Sequence, residues 1–276
     1  MIEVKNLSYV YMKKTPFEKI ALSDVSFSVN EGDFTAIAGH TGSGKSTLIQ
    51  IIAGLIEVEG GVTIDGESVK NKSARQKIGI VFQYPEHQLF EETVEKDIAF
   101  GPRNFGLSED EISARVDESM KAVDLDLELK KVSPFELSGG QRRRVAIAGI
   151  LALKPKYLIL DEPTAGLDPR AHKNLLAEIK KLHKSGVTII LVTHSMEDIA
   201  EFAKRVIVLA DGKIIFDGTP RKLFTQENIL QRAGLFPPSS AQIVQKLSRA
   251  GLNVDTEILN IDEAENEIFK SWRKSK

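Results

Sequence analysis

The chain of 276 residues contains no cysteine, so no disulfide holds it together, a composition that suits a reducing cytoplasm. It also lacks any apolar stretch near the roughly 20 residues that a membrane-crossing helix requires, so any membrane role must pass through a partner. Neither sign of charge dominates: 37 basic side chains face 39 acidic ones, for a net charge of −2, which leaves no global field to draw nucleic acid. No sustained heptad and no internal repeat is present, which argues against a long coiled-coil arm or tandem units. His40, His87, His172, His183 and His194 are scattered without the spacing of metal ligands. The opening Met1-Ile2-Glu3-Val4 has neither the basic nor the apolar region of a secretory leader. The length suffices to bury the core of one large domain plus an appendage.

What the chain does have is Gly39-His40-Thr41-Gly42-Ser43-Gly44-Lys45-Ser46, a glycine, four residues, then Gly-Lys-Ser. The apolar run Phe34 to Ala38 before it predicts a buried strand, and Ser46 to Ile52 after it predicts a helix. That context is the one a phosphate-binding loop needs. A helix N-terminus offers unpaired N–H groups and partial positive charge, and glycines let successive amides wrap a phosphate closely. Lys45 adds a full charge near the β- and γ-phosphates of ATP, Ser46 offers a hydroxyl to Mg²⁺, and Thr47 completes the contacting stretch.

A second run, Tyr157 to Leu160, predicts a central parallel strand ending in Asp161 and Glu162. Ligands of α/β sheets collect at that C-terminal edge. Neighbouring strand residues point to opposite faces, so the two carboxylates have different tasks: Asp161 in the Mg²⁺ shell, Glu162 as base for the attacking water. A third segment, Leu137-Ser138-Gly139-Gly140-Gln141, opens another helix that runs to about Leu153 and provides a second anion-binding N-terminus. The Arg142-Arg143-Arg144 run on that helix reads as a contact to core or solvent.

With these three segments in this order, the chain resembles the ATP-binding subunits of ABC transporters. The resemblance implies an α/β P-loop NTPase fold with a RecA-like core, an antiparallel β subdomain and an inserted helical subdomain. It implies a head-to-tail dimer in which Ser138, Gly139, Gly140 and Gln141 of one subunit close over the γ-phosphate held by the other. It also assigns Gln83, after the strand Ile78 to Phe82, to the metal and to sensing the transport partner. His194, after the strand Thr188 to Val192, becomes the switch histidine at the γ-phosphate, and Asp168 couples the two sites. Tyr11 matches the aromatic that stacks on adenine, with Tyr9 close enough for the same task.

Strands over Ile2 to Tyr11 and Leu22 to Val29, with a hairpin turn at Gly61 to Gly66, are expected to form the antiparallel part. The helical insertion is expected at about 88–135, including an amphipathic helix from Asp110 to Val123 after a break at Asn104 to Ser108. The ATPase domain is expected over 1–218 and a short C-terminal helical extension, a possible dimer contact, over 219–276. The stretch Gln83 to Pro102, with Tyr84-Pro85-Glu86-His87-Gln88-Leu89-Phe90, is similar to the ATPases of energy-coupling factor transporters, and the similarity spans nearly the whole chain. This resemblance points to the second of their two ATPase types and to import of a vitamin or a transition-metal ion. The partners it implies are a second ABC ATPase, identical or a sister chain, a membrane scaffold protein and a small membrane substrate-capture subunit. It implies no nucleic acid and places the chain peripherally on the cytoplasmic face of the membrane. A helix opening near Gln88 is expected to line the groove for the scaffold, with Leu89, Phe90, Val94, Ile98 and Phe100 as its apolar surface. Glu86, Glu91, Glu92, Glu95 and Asp97 would form its acidic fringe. The alternative from another class is a nucleic-acid-linked ABC ATPase of the DNA-repair type.

Overall fold

The computed structural model describes residues 1–274. In chain order the strands are β1 (Ile2–Tyr11), β2 (Lys19–Val29), β3 (Phe34–Ala38), β4 (Val62–Ile64), β5 (Glu67–Ser68), β6 (Ile78–Val81), β7 (Tyr157–Asp161), β8 (Thr188–Val192), β9 (Arg205–Ala210) and β10 (Lys213–Gly218). The α-helices are α1 (Lys45–Ile52), α2 (Lys72–Arg75), α3 (Val94–Asn104), α4 (Glu109–Ala122), α5 (Gly139–Leu151), α6 (Pro169–Lys184), α7 (Met196–Phe202), α8 (Pro220–Phe224), α9 (Glu227–Ala233), α10 (Ser239–Arg249) and α11 (Ile261–Lys274). Two compact units interleave along the chain: one comprises Met1, Asn30–Gly32 and Thr63–Ile190, the other Ile2–Val29, Asp33–Val62 and the chain from Leu191 onward. The division falls within β8.

In the first unit β8, β7 and β6 are successive in strand order. β6 and β7 run parallel, with Ile78 opposite Tyr157 and Val81 opposite Leu160, so Phe82-Gln83 and Asp161-Glu162 leave the sheet at the same edge. The turn between β4 and β5 places Asp65 and Gly66 at positive φ (51° and 81°), where glycine relieves the strain of the second position. α4 begins with a full capping box between Ser108 and Glu111, and α3 with Thr93, whose hydroxyl accepts from the Lys96 amide.

The helix expected near Gln88 does not open there. Pro85–Gln88 makes one 3₁₀ turn after Tyr84, which holds φ at 56°, and the α-helix starts only where Thr93 supplies a cap. The expected apolar surface narrows as a result. Leu89, Val94 and Ile98 are buried, whereas Phe90 and Phe100 remain 57% and 43% exposed and meet edge to face at 4.9 Å between ring centres. An amphipathic helix has to pack part of its apolar stripe at home, and here it packs most of it.

In the second unit β1 and β2 pair antiparallel from Ile2–Val29 to Tyr11–Lys19, so β2 begins three residues earlier than its apolar pattern suggests. β10, β9 and β3 are successive, with β3 and β9 parallel and β9 and β10 antiparallel. All five residues of β3 are buried, as expected for a strand covered on both faces. The C-terminal residues start as core: Leu223, Phe224, Leu230, Ala233 and Leu235 pack with Ala36, Ala38, Val206 and Val208. α10 and α11 carry a smaller cluster around Val244, Ile258 and Ala264. Among the described residues no helix is long and apolar enough to cross a membrane.

Candidate active site

The phosphate loop lies in the second unit, between β3 and α1. Its first glycine is required by the chain itself. Gly39 holds φ at 147°, and a Cβ there would stand 2.2 Å from the Leu209 carbonyl oxygen. Gly44 (φ 108°) is similarly confined, with the Ala21 carbonyl oxygen 2.5 Å from where its Cβ would be. Lys45 Nζ donates to the Gly39 and His40 carbonyls at 2.7 and 3.0 Å, which folds the ammonium back over the loop. His40 Nδ1 donates to the Thr41 carbonyl at 2.8 Å, while Thr41, Gly42 and Ser46 are exposed. α1 begins at Gly44 with no side-chain cap, so its N-terminal dipole is open to a ligand, and the buried Ser43 hydroxyl has no hydrogen-bond partner. A glycine cradle, a folded lysine, an uncapped helix start and an orphaned hydroxyl fit a bound polyphosphate.

The same unit brings Tyr11 to this loop: its hydroxyl lies 3.2 Å from Thr47 Oγ1 on α1, and Tyr9 packs edge-on against it at 4.9 Å. Of the two tyrosines, Tyr11 is the one joined to the nucleotide loop. His194 is exposed between β8 and α7, and the amide of Thr193 beside it donates to the Ile37 carbonyl of β3 at 3.2 Å. The histidine segment is therefore tied to the strand that leads into the loop.

The first unit holds the other half of the expected set. Glu162 follows β7 at φ 47°, an uncommon backbone for a side-chain-bearing residue and the kind of strain that gathers at functional sites. Gln83 is exposed at the same sheet edge. Ser138, Gly139 and Gly140 are exposed at the start of α5. Ser138 and Gln141 form a capping box: the Ser138 amide and hydroxyl donate to Gln141 Oε1 at 3.0 and 2.9 Å, and the Gln141 amide donates to the Ser138 hydroxyl at 3.3 Å. Asp168 caps α6, one carboxylate oxygen accepting from the Arg170 and Ala171 amides at 2.9 and 3.0 Å. The Ser46 hydroxyl in one unit, and the Gln83 amide oxygen and Asp161 carboxylate in the other, are each the kind of hard oxygen donor that suits Mg²⁺.

A family model for ABC transporters matches residues 22–165. The chain is 50% identical to the energy-coupling factor transporter ATP-binding protein EcfA2 of Clostridium perfringens, with 99% of each chain covered. It is 51% identical to the protein of the same name from Clostridium tetani, covering 98% of this chain and 96% of that one. This chain belongs to the energy-coupling factor ATPases of the ABC transporter family. Among solved structures, cbiO1 of Clostridium perfringens, described as part of the ABC transporter complex cbiONQ, superposes with a TM-score of 0.73 at 35% identity, over 91% of this chain and 96% of that one. The ATP-binding cassette MJ0796, solved as a dimer bound to ADP and Pi, gives a TM-score of 0.70 at 32% identity over 80% of this chain and 99% of that one. The α/β ATP-binding cassette fold expected from the three motifs is thus the fold found.

Some side chains in this ATPase were not singled out by sequence reasoning. Arg143, from a run read as contacting core or solvent, is buried and ion-paired to Glu86. That pairing takes Glu86 out of the expected acidic fringe. Asp97 is likewise engaged at home, accepting from the Phe90 and Glu91 amides at 3.0 Å each, and Glu92 pairs with Lys96. Arg144 lies 3.6 Å from the buried Glu178, and both line a cavity of about 170 Å³ beside Ser138 and Gly140. Burial pushes the Glu178 carboxyl up to about 7; Arg144 opposes the shift and Asp124 adds to it. The Arg143–Glu86 and Arg144–Glu178 pairs link residues tens of positions apart, and no local pattern announces them.

Proposed function

We propose that this energy-coupling factor ATPase powers import of a vitamin or transition-metal ion, working as a dimer with two composite ATP sites. In each site Lys45, the Gly39–Thr47 loop and Tyr11 hold MgATP. Ser46, Gln83 and Asp161 face the metal, Glu162 acts as base for the attacking water, and His194 positions it at the γ-phosphate. Ser138 to Gln141 of the opposing subunit close over the nucleotide, with Asp168 at the coupling turn. The ATPase domain spans 1–218, its helical insertion about 88–135, and the extension 219–276 serves packing or dimer contact.

The observation that carries the dimer is the state of the signature glycines. Gly139 and Gly140 have helical φ, and a Cβ added at either would meet nothing within 4 Å, so their own chain makes no demand for glycine there. A demand from outside supports a second subunit's nucleotide as the group that approaches. Phe90 and Phe100, with Glu91 and Glu95 nearby, would meet a basic and apolar segment of a membrane scaffold. A small membrane subunit would capture the solute, and the ATPase would sit on the cytoplasmic face of the membrane. The transporter names of the relatives favour this over the nucleic-acid-linked alternative.

The test is affinity purification of the tagged full chain from its own cells in mild detergent, followed by mass spectrometry. A second ATPase, a polytopic scaffold and a small membrane subunit are the expected companions. Recovery of soluble or nucleic-acid-bound proteins alone would overturn the transport assembly.

A further inference from the structure

Arg143 stands where three segments of the first unit meet: the signature helix α5, the segment after Gln83 and the turn after Glu162. Its Nε and Nη2 each donate to one carboxylate oxygen of Glu86 at 3.0 Å, a two-bond fork. Nη1 donates to the Pro163 and Ala165 carbonyls, and Nη2 also to Ala165, all at 3.2 Å. Those five bonds use the five N–H donors a guanidinium owns. Next to this knot, Gly166 holds φ at 74° beside the Tyr84 ring.

Stability alone does not account for the arrangement. A buried ion pair is costly to desolvate, and apolar side chains of similar volume often fill such a space as well or better. What the guanidinium provides is direction, since it is planar and fixes a carboxylate and two carbonyls in one frame. Pro163 directly follows Glu162, whose backbone is held at φ 47°, and Glu86 comes three residues after Gln83.

We propose that Arg143 is a positioning residue for ATP hydrolysis, locking the backbone that leaves Glu162 and the segment that leaves Gln83 to the signature helix so that base and glutamine stay in register with it. The proposal rests on the assignment of Glu162 as base. Movement imposed on the Glu86 segment by a docked partner would reach the base through this side chain. Lysine keeps the charge but cannot span three acceptors in one plane.

The experiment compares the full chain with Arg143→Lys, Glu86→Gln and Glu162→Gln, each purified with the subunits that accompany it from its own cells. It measures kcat, KM for MgATP, affinity for a non-hydrolysable ATP analogue and the number of competent binding sites. Arg143→Lys is expected to lower kcat about 10- to 100-fold, as supporting residues of a reactive group do, with analogue affinity and site number retained. Glu86→Gln, nearly isosteric, is expected to lower kcat in the same direction by less, and it decides the question if Arg143→Lys does not fold. A kcat within about twofold of the parent, or a loss matched by loss of binding sites, would overturn the proposal. Glu162→Gln separates the two readings: if it turns over normally the base assignment has failed, and if it is inactive while the other variants are normal only the positioning role has failed.

Discussion

The glycines of the phosphate loop and those of the signature segment look alike in sequence and are required for opposite reasons. At Gly39 and Gly44 the chain's own carbonyls leave no room for a Cβ, and the backbone sits at positive φ. At Gly139 and Gly140 the surroundings are open and the backbone is helical. The first pair is explained from within the chain, whereas the chain gives no reason for the second, which suits the group from outside proposed above.

The largest effect should separate binding from turnover. Glu162→Gln removes the proposed base in the first unit but leaves the phosphate loop in the second untouched, so ATP binding is expected to persist while kcat falls more than about 100-fold. Single-turnover hydrolysis together with equilibrium nucleotide binding checks it, and normal hydrolysis would refute the assignment. Next, Gly39→Ala should cost about 3 kcal/mol or more through collision and backbone strain, read as a lowered denaturant midpoint and lost nucleotide binding. An unperturbed Gly39→Ala chain would end the contrast drawn above.

A smaller effect concerns the carboxyl beneath the signature helix. Glu178 holds its proton in the folded chain up to about pH 7, above the ordinary value of 4.5, so the folded state binds more protons between those values. Its contribution to stability is complete below about 4.5 and is lost as pH rises through about 7. Glu178→Gln should remove that decline, so the parent loses about 1–3 kcal/mol relative to the variant between about pH 5 and 8. Urea unfolding at several pH values measures it; parallel pH profiles would count against the raised carboxyl.

The smallest effect sharpens the comparison most directly. Gly140→Ala should leave the chain folded and even stabilise α5 by up to about 1 kcal/mol, because alanine is the better helix former. If the signature closes on the partner's nucleotide as proposed, turnover of the assembled enzyme should nevertheless fall, because the methyl group would intrude there. Thermal melting and steady-state ATPase assays on the same preparation test both halves.

Much of this ATPase could be read from its order of residues. The phosphate loop, β3, α1, β7 and β8 came out within a residue or so, because a buried parallel strand is a short apolar run and a glycine loop marks its end. β2 ran longer than its apolar core, since Lys19 to Ala21 pair with β1 without needing a hydrophobic pattern. The late start of α3 was hidden because Pro85 to Leu89 has helical composition, and only the Thr93 cap and the left-handed Tyr84 set the boundary.

The sequence by itself determined the family and the strands and helices that carry the motifs, because each motif is written in contacts within a few positions. Only the tertiary structure decided that Tyr11 rather than Tyr9 reaches α1, that Glu86 belongs to Arg143 and not to an acidic fringe, and that Glu178 is buried next to the signature helix. Those outcomes turn on residues brought together from distant positions, where charge, burial and hydrogen-bond geometry act through space and leave no periodic trace along the chain.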